Sequence, residues 1–213
     1  MRIEDALEHL ETIHEQVLRS ETFRGYRAAS VGGTGVLAVV AGVFQNYVLA
    51  PKSVAEFIGY WITIAAIACC VIGFDLAVQI VRQGRSERRR TWYALRQLLP
   101  ALFVGAALTA TLVDTVVADR LPAIWALCFG LGIVASRPFL AAGLGYVGSF
   151  YLAVGAALLL PPFHATLPSP IVMGLVFGGG QLFAAMLFRR GEANGLHAKS
   201  KGKDQGGWIR GSL

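Results

Sequence analysis

The fold class follows from residues 57–81, FIGYWITIAAIACCVIGFDLAVQIV, and from the segment RQGRSERRR that follows them at 82–90. The first segment contains one charged residue, Asp75, and a run of about 20 apolar residues is long enough to cross a bilayer. Such a run crosses hydrocarbon as a helix, because lipid offers no partner for unpaired backbone groups. The second segment carries five arginines and one glutamate. Together the two segments predict a membrane-spanning helix that ends at a strongly basic loop.

Apolar runs of similar character occur along the whole chain. Hydrophobic residues make up 55% of the sequence and charged residues 15%, whereas soluble domains average about 25% charged residues. We therefore expect an all-α, polytopic membrane protein with six transmembrane helices. The fourth run is short: it covers about 22 Å, so it begins in the preceding loop, thins the bilayer locally or is re-entrant. The six runs are 28–49, 57–81, 99–117, 121–135, 139–160 and 171–188.

The placement of the basic residues predicts the orientation of the bundle. With six spans, 17 of the 19 lysines and arginines lie on the side that holds both termini, and only Lys52 and Arg120 lie on the other. Cytoplasmic loops of membrane proteins carry an excess of lysine and arginine. We therefore expect both termini in the cytoplasm, and an integral protein of the cytoplasmic (inner) membrane of a prokaryote.

Two cytoplasmic segments flank the transmembrane bundle, which we place at 28–188. Residues 1–27 are mostly polar, and within 1–22 apolar residues recur at helical spacing among acidic ones, which predicts an amphipathic cytoplasmic helix. Its net charge of −4 disfavours anionic lipid. Its apolar stripe is expected to pack near the arginine loop, on another subunit or on a cytoplasmic protein partner. Residues 189–213 are rich in glycine and lysine and predict a basic, flexible tail.

Few polar side chains fall within the spans, and these are the candidate functional residues. Asp75 lies near the inner end of the second span, where Arg82 or Arg96 could neutralise it, as a structural ion pair or in gating or ion coupling. Gln181 is the strongly polar side chain nearest the middle of the last span and is the first choice for a polar interior contact. Gln45, Asn46 and Asp114, near outer helix ends, are expected to face the headgroups.

Three consecutive glycines, Gly178, Gly179 and Gly180, occupy the middle of the last span. Glycine within a helix costs about 1 kcal/mol relative to alanine. The triplet therefore indicates either a neighbouring helix or ligand at very short distance or a point where the helix bends. Small residues also recur every fourth position in the first, second, fifth and last spans, which favours close helix packing and allows a homo-oligomer.

The sequence argues against several classes of function. No histidine or lysine lies within a span, so a haem ligated by intramembrane histidine and a retinal-type Schiff base are not expected. Cys69, Cys70 and Cys128 fall inside apolar runs and are expected to be small buried side chains rather than disulfide or metal ligands. We expect no enzyme, no cofactor, no metal site and no nucleic-acid partner.

The asymmetry of the chain favours a function on the cytoplasmic side. The outer loops are short, while the acidic helix, the arginine loop and the basic tail all face inward. The leading hypothesis is a non-enzymatic regulatory or assembly subunit that acts through this face, with the lipid bilayer as its surroundings. The alternative is a small-solute or ion transporter or channel protomer, based on the glycine triplet, Gln181 and Asp75.

Overall fold

The computed structural model describes residues 28–82, 85–140, 143–161, 163 and 168–209; at 79, 82, 85–87, 89–90 and 191–209 it describes the backbone alone. The amphipathic helix expected at 1–22 therefore lies outside the described residues. Every regular element of the described ranges is helical and none is a strand. The prediction of an all-α fold is confirmed.

Six helices follow one another along the described part of the chain. The backbone of the last one continues to Ile209, through most of the segment that composition predicts as a flexible tail; the flexibility itself stays a prediction. Two 3₁₀ turns, Ala118–Arg120 and Arg137–Phe139, flank the fourth helix. The helices are α1 (Ala28–Leu49, ending in a π-turn at Gln45–Leu49), α2 (Val54–Arg82), α3 (Arg85–Leu112), α4 (Leu121–Ser136), α5 (Leu144–Leu159) and α6 (Pro170–Ile209).

Five helical segments are long and apolar enough to cross a membrane. They contain 21 to 25 residues each, about 32–38 Å of helix against a hydrocarbon thickness of about 30 Å. The chain is thus an integral membrane protein. The segments are Ala28–Leu49, Val54–Val78, Thr91–Leu112, Ala118–Phe139 and Pro170–Arg190.

The fourth span is longer than its apolar run. The 3₁₀ turn Ala118–Arg120 leads directly into α4 and the turn Arg137–Phe139 extends it, so the helical segment contains 22 residues. Pro122 lies in the first turn of α4, where the missing N–H removes no helical hydrogen bond. The short fourth run is expected to begin in the preceding loop, to thin the bilayer or to be re-entrant. The structure agrees with the first of these.

The fifth helix is the short one. Its predicted beginning at residue 139 is wrong: Pro138 lies in a 3₁₀ turn, and Gly143 has a φ of 96°, a left-handed conformation that favours glycine. The helix begins at Leu144 and contains 16 residues, which cover about 24 Å.

Successive helices run in opposite directions. Tyr60 on α2 donates its hydroxyl hydrogen to the carbonyl oxygen of Ala41 on α1 at 3.1 Å. Gly130 on α4 lies against the backbone of Gly148 on α5. Side chains from the end of α1, the beginning of α2, the end of α3 and the beginnings of α4 and α6 meet in one apolar cluster. The bundle is therefore up-and-down.

The first and last helices also pack against each other in opposite directions. A β-carbon added at Gly42 would lie 2.6 Å from the carbonyl oxygen of Pro170, and one added at Gly32 would lie 3.3 Å from Cβ of Ala185. Residues early in α1 therefore face residues late in the apolar part of α6. Consequently Ala28 and Arg190 lie at the same end of the bundle.

Serines begin two of the helices at the opposite end. The hydroxyl oxygen of Ser53 accepts a hydrogen bond from the backbone N–H of Glu56 at 3.1 Å, while the Glu56 carboxylate accepts one from the N–H of Lys52 at 2.9 Å. This pattern resembles a capping box. Ser169 precedes Pro170 in the same role for α6 and accepts from the N–H of Val172 at 3.4 Å.

The helices differ in how much of their surface packs within the chain. In the most apolar 18-residue windows of the α1, α4 and α6 spans, 39% of residues are buried, but in the corresponding windows of α2 and α3 only 11%. The small residues that recur every fourth position in the second span, Ala65, Cys69, Gly73 and Ala77, are exposed on α2. The packed side of α5 is likewise not the expected face of small residues spaced four apart. It consists of other residues, two of them glycines: Leu144, Val147, Gly148, Tyr151, Gly155 and Leu158.

Candidate functional site

The glycine triplet of α6 lies where two other helices come very close. A β-carbon at Gly178 would lie 2.8 Å from the carbonyl oxygen of Gly35 on α1 and 2.5 Å from Cγ2 of Val39. Contacts under 3.0 Å leave no room for a side chain here, since the nearest atoms include backbone. Gly178 therefore permits the close approach of α1 to α6.

Gly180 meets a different helix. The ring of Tyr151 on α5 occupies the position that a β-carbon at Gly180 would need. Tyr151 is fully buried, and its hydroxyl donates a hydrogen bond to the carbonyl oxygen of Phe177 at 3.0 Å. Its ring also contacts Phe129 edge-on, with centroids 5.0 Å apart. One aromatic side chain thus joins α4, α5 and α6 at this level of the bundle.

The middle glycine has no such neighbour. A β-carbon at Gly179 would meet nothing within 4 Å. Leu175, Leu182 and Met186, which share its helical face, are all exposed. Packing within the chain therefore requires glycine at 178 and 180 but not at 179, and α6 continues as a helix through all three.

Gln181 lies at the seam between α1 and α6. It is half-buried, and a β-carbon built on Gly35 would lie 3.1 Å from the Cβ of Gln181. The strongly polar side chain that the sequence places nearest the middle of the last span therefore lies beside the first helix. The structure places Gln181 and the glycine triplet together on α6, whereas Asp75 lies on α2.

Asp75 is buried, with 8% of its surface exposed, near the end of α2. Of the two arginines considered for neutralising it, Arg96 is exposed on α3. The side chain of Arg82 lies outside the described residues. The role of Asp75 in an ion pair, in gating or in coupling stays a prediction.

The described basic side chains are concentrated at one end of the bundle. We call this the arginine end; it is the end where α1 begins and the apolar part of α6 stops. The other end, with its short loops, carries Lys52 and Arg120. The exposed members of the arginine end are Arg88, Arg96, Arg137, Arg189 and Arg190.

Aromatic and polar contacts consolidate the arginine end. The rings of Tyr93 and Phe139 stack with centroids 5.6 Å apart and planes at 27°. The Ser136 hydroxyl, on the last residue of α4, lies 3.0 Å from the carbonyl oxygen of Ala94 on α3. The side chain of Arg137 lies along Gly145, where a β-carbon would be 3.0 Å from its Cδ. The basic face is therefore built on a packed junction of α3, α4 and α5.

The three cysteines differ in how far they are buried within the chain. Cys69 and Cys70 are exposed on α2, so the expectation that they are buried within the chain is wrong, while Cys128 on α4 is half-buried beside Gly105. All three are free thiols. Within the described ranges, no group of three or more histidine, cysteine, aspartate or glutamate side chains could hold a metal ion.

A buried amide at the opposite end was not anticipated. Gln45, expected to face the headgroups, has 1% of its surface exposed, and its Nε2 lies 3.4 Å from the carbonyl oxygen of Phe57. The expectation is wrong because Gln45 follows buried Ala38 and Ala41 at helical spacing and so faces inward. The spacing in the sequence contains this signal. Asp114, by contrast, is exposed as expected.

Comparisons of the chain with protein-family models, with curated proteins and with solved structures find no match.

Proposed function

We propose that this membrane protein is a non-enzymatic regulatory or assembly subunit that acts through its arginine end. The observation that carries the proposal is the charge asymmetry between the two ends. Five exposed arginines lie at the end where α1 begins and the apolar part of α6 stops, whereas Lys52 and Arg120 are the described basic side chains at the other end. By the positive-inside rule, the arginine end faces the cytoplasm.

The same proposal includes six crossings. The five long spans alone would leave the chain with ends on opposite sides. The first span, α1, and the last span, α6, pack in opposite directions, which favours an even number of membrane crossings between the two ends of the bundle. Further support comes from α5, which packs along α4 from Gly148 opposite Gly130 to Gly155 opposite Ala123. A 16-residue helix is accommodated by local thinning of the bilayer.

The partner is proposed to bind through residues 1–22. This segment has acidic side chains around an apolar stripe that includes Leu7 and Leu10. Its negative charge is complementary to the arginine end, although each exposed ion pair contributes only about 0–1 kcal/mol. The apolar stripe therefore supplies most of the expected affinity, and the charges orient the segment.

The test compares proteins recovered from native membranes by cross-linking and affinity purification. Full-length protein, a 1–22 deletion and the double variant Leu7→Ser/Leu10→Ser are used as bait, with Glu8→Gln/Glu15→Gln as a control of equal size off the stripe. We expect a partner in constant ratio to the full-length protein that the deletion and the stripe variant lose and the control retains. Recovery of the same proteins by all four baits, or of none, rejects the proposal.

A second candidate function is a transporter or channel protomer for a small solute or ion. The observation that favours it is Gly179, a glycine in mid-span that packing within the chain does not require. Flux in proteoliposomes that falls in Gly179→Leu and Gln181→Leu but not in the exposed control Leu175→Ala would support it. Absence of flux for a panel of ions and neutral solutes would reject it.

A further inference from the structure

Among the described residues at the end of the bundle opposite the arginines, three buried side-chain polar atoms have no hydrogen-bond partner: Oε1 of Gln45, Nε1 of Trp61 and Oδ1 of Asp119. Gln45 and Trp61 are 1% and 3% exposed. Buried polar side-chain atoms in native proteins are nearly always bonded, either to protein or to ordered water. We call these three residues the polar triplet.

The residues of the polar triplet belong to elements that pack together at this end of the bundle. Gln45 reaches the carbonyl oxygen of Phe57 on α2 at 3.4 Å, and the rings of Phe57 and Trp61 have centroids 6.4 Å apart. Trp61 packs in the same apolar cluster as Ala118. Asp119 follows Ala118 in the 3₁₀ turn, which packs against α2. The three side chains thus come from α1, α2 and the beginning of the fourth span.

The local backbone is also unusual at this point. Gln45 begins the π-turn Gln45–Leu49, and the chain leaves it through Ala50 in a left-handed conformation, with φ of 42°. The N–H of Ala50 bonds to the carbonyl oxygen of Gln45 at 2.8 Å. Single π-turns within helices occur frequently at functional sites. This turn closes α1 immediately beyond the buried amide.

The hydrogen-bond donors and acceptors of the polar triplet limit the kind of ligand that it can bind. Gln45 and Asp119 offer acceptor oxygens, while Trp61 offers an N–H that can only donate. A metal cation is disfavoured by the indole N–H, and an anion by the carboxylate. A water molecule fits all three, since it accepts one hydrogen bond and donates two, and buried waters typically make about three hydrogen bonds.

We propose that the polar triplet is an internal water site at this end of the bundle, in which one water accepts from Trp61 and donates to Gln45 and Asp119. The inference is independent of the proposed function, which concerns the other end. The site hydrates the interior of a bundle whose neighbouring core is apolar.

Trp125 provides a matched control within the same protein. Its Nε1 donates to Oγ1 of Thr109 at 2.7 Å, so its indole N–H is bonded to protein where that of Trp61 is not. Trp92, 60% exposed at the arginine end, serves as a reference for an accessible indole. The chain has four tryptophans. The indole N–H signals of these three residues can be followed separately by ¹⁵N NMR in nanodiscs and assigned with Trp61→Phe, Trp92→Phe and Trp125→Phe.

The measurement is transfer of magnetisation from water to each indole N–H, together with exchange into D₂O. We expect a water cross-peak at Trp61 and exchange about tenfold faster than at Trp125, whose hydrogen bond must open first. A Trp61 signal as protected as that of Trp125 overturns the proposal. That result would mean that the indole bonds to protein or stays dry.

Substitutions test whether the three residues share one water. Gln45→Met and Asp119→Leu remove acceptors of the site and are expected to weaken the Trp61 cross-peak, whereas Asp119→Asn keeps an acceptor oxygen and should leave it. An unchanged Trp125 signal establishes that each variant is folded. If Gln45→Met and Asp119→Leu both leave the Trp61 cross-peak unchanged in folded protein, the shared site is rejected. The wild-type measurement decides on hydration of Trp61 even if a variant does not fold.

Discussion

The ring of Tyr151 on α5 occupies the space that any β-carbon at Gly180 on α6 would need, and its hydroxyl reaches one helical turn back to the carbonyl oxygen of Phe177 at 3.0 Å. The tyrosine and the glycine are therefore complementary in shape. In lipid, where apolar surfaces gain little by association, such close packing and interhelical hydrogen bonds are the main source of specificity between helices.

The hydroxyl of Tyr151 is expected to stabilise the bundle modestly. Tyr151→Phe keeps the ring against Gly180 and removes only the hydrogen bond, so we expect a loss of about 1 kcal/mol in the free energy of unfolding. Tyr146→Phe is the control, because Tyr146 is exposed on the same helix. Unfolding in mixed detergent, followed by circular dichroism, measures both. Equal stability of Tyr151→Phe and wild type would show that the bond contributes nothing.

The three glycines of α6 are expected to respond differently to alanine. Gly178→Ala and Gly180→Ala introduce contacts with α1 and with Tyr151, so both should destabilise the protein by about 1–3 kcal/mol. Gly179→Ala adds a methyl group in open space and should stabilise the helix by about 0.5–1 kcal/mol. The melting temperatures of the three variants in one detergent measure this order. A Gly179→Ala variant as unstable as the other two would contradict the structure.

The indole of Trp125 and the hydroxyl of Thr109 are expected to be energetically coupled. Nε1 of Trp125 donates at 2.7 Å, and Oγ1 of Thr109 in turn donates to the carbonyl oxygen of Gly105 at 2.8 Å, which links α3 to α4. A double-mutant cycle with Thr109→Val and Trp125→Phe should give a coupling energy of about 0.6–1.7 kcal/mol. Additive effects of the two substitutions would argue against the bond. Thr63→Val, on the exposed side of α2, is the control.

The sixth crossing can be tested by labelling on either side of α5. On a background free of the three native cysteines, single cysteines at Phe163, Arg137 and Val116 are treated with a membrane-impermeant maleimide in intact cells. If α5 crosses, Phe163→Cys and Val116→Cys are labelled and Arg137→Cys is labelled only after lysis. Labelling of residues 137 and 163 from the same side would exclude a crossing by α5.

Much of the architecture could be predicted from residues alone. Hydrophobicity and charge report directly on the solvent that each segment meets, so the long apolar runs and the basic segment at 82–90 predict spans and orientation before any packing is known. The beginning of the short fifth helix is harder to predict, because it depends on Pro138, which lies in a 3₁₀ turn, and on the left-handed Gly143 immediately before the helix.

The interior contacts required the tertiary structure. In a sequence this rich in small apolar residues, many faces of a helix look equally suitable for packing, and only the arrangement of neighbours selects one. Gly178, Gly179 and Gly180 are identical in the sequence, yet α1 lies against the first, open space beside the second and Tyr151 against the third. The sequence by itself determined that the chain enters a membrane and where its charge lies, because both are properties of single residues in a solvent. Which glycine is needed, and that Gln45 is buried, only the tertiary structure decided, because both depend on residues distant in the chain.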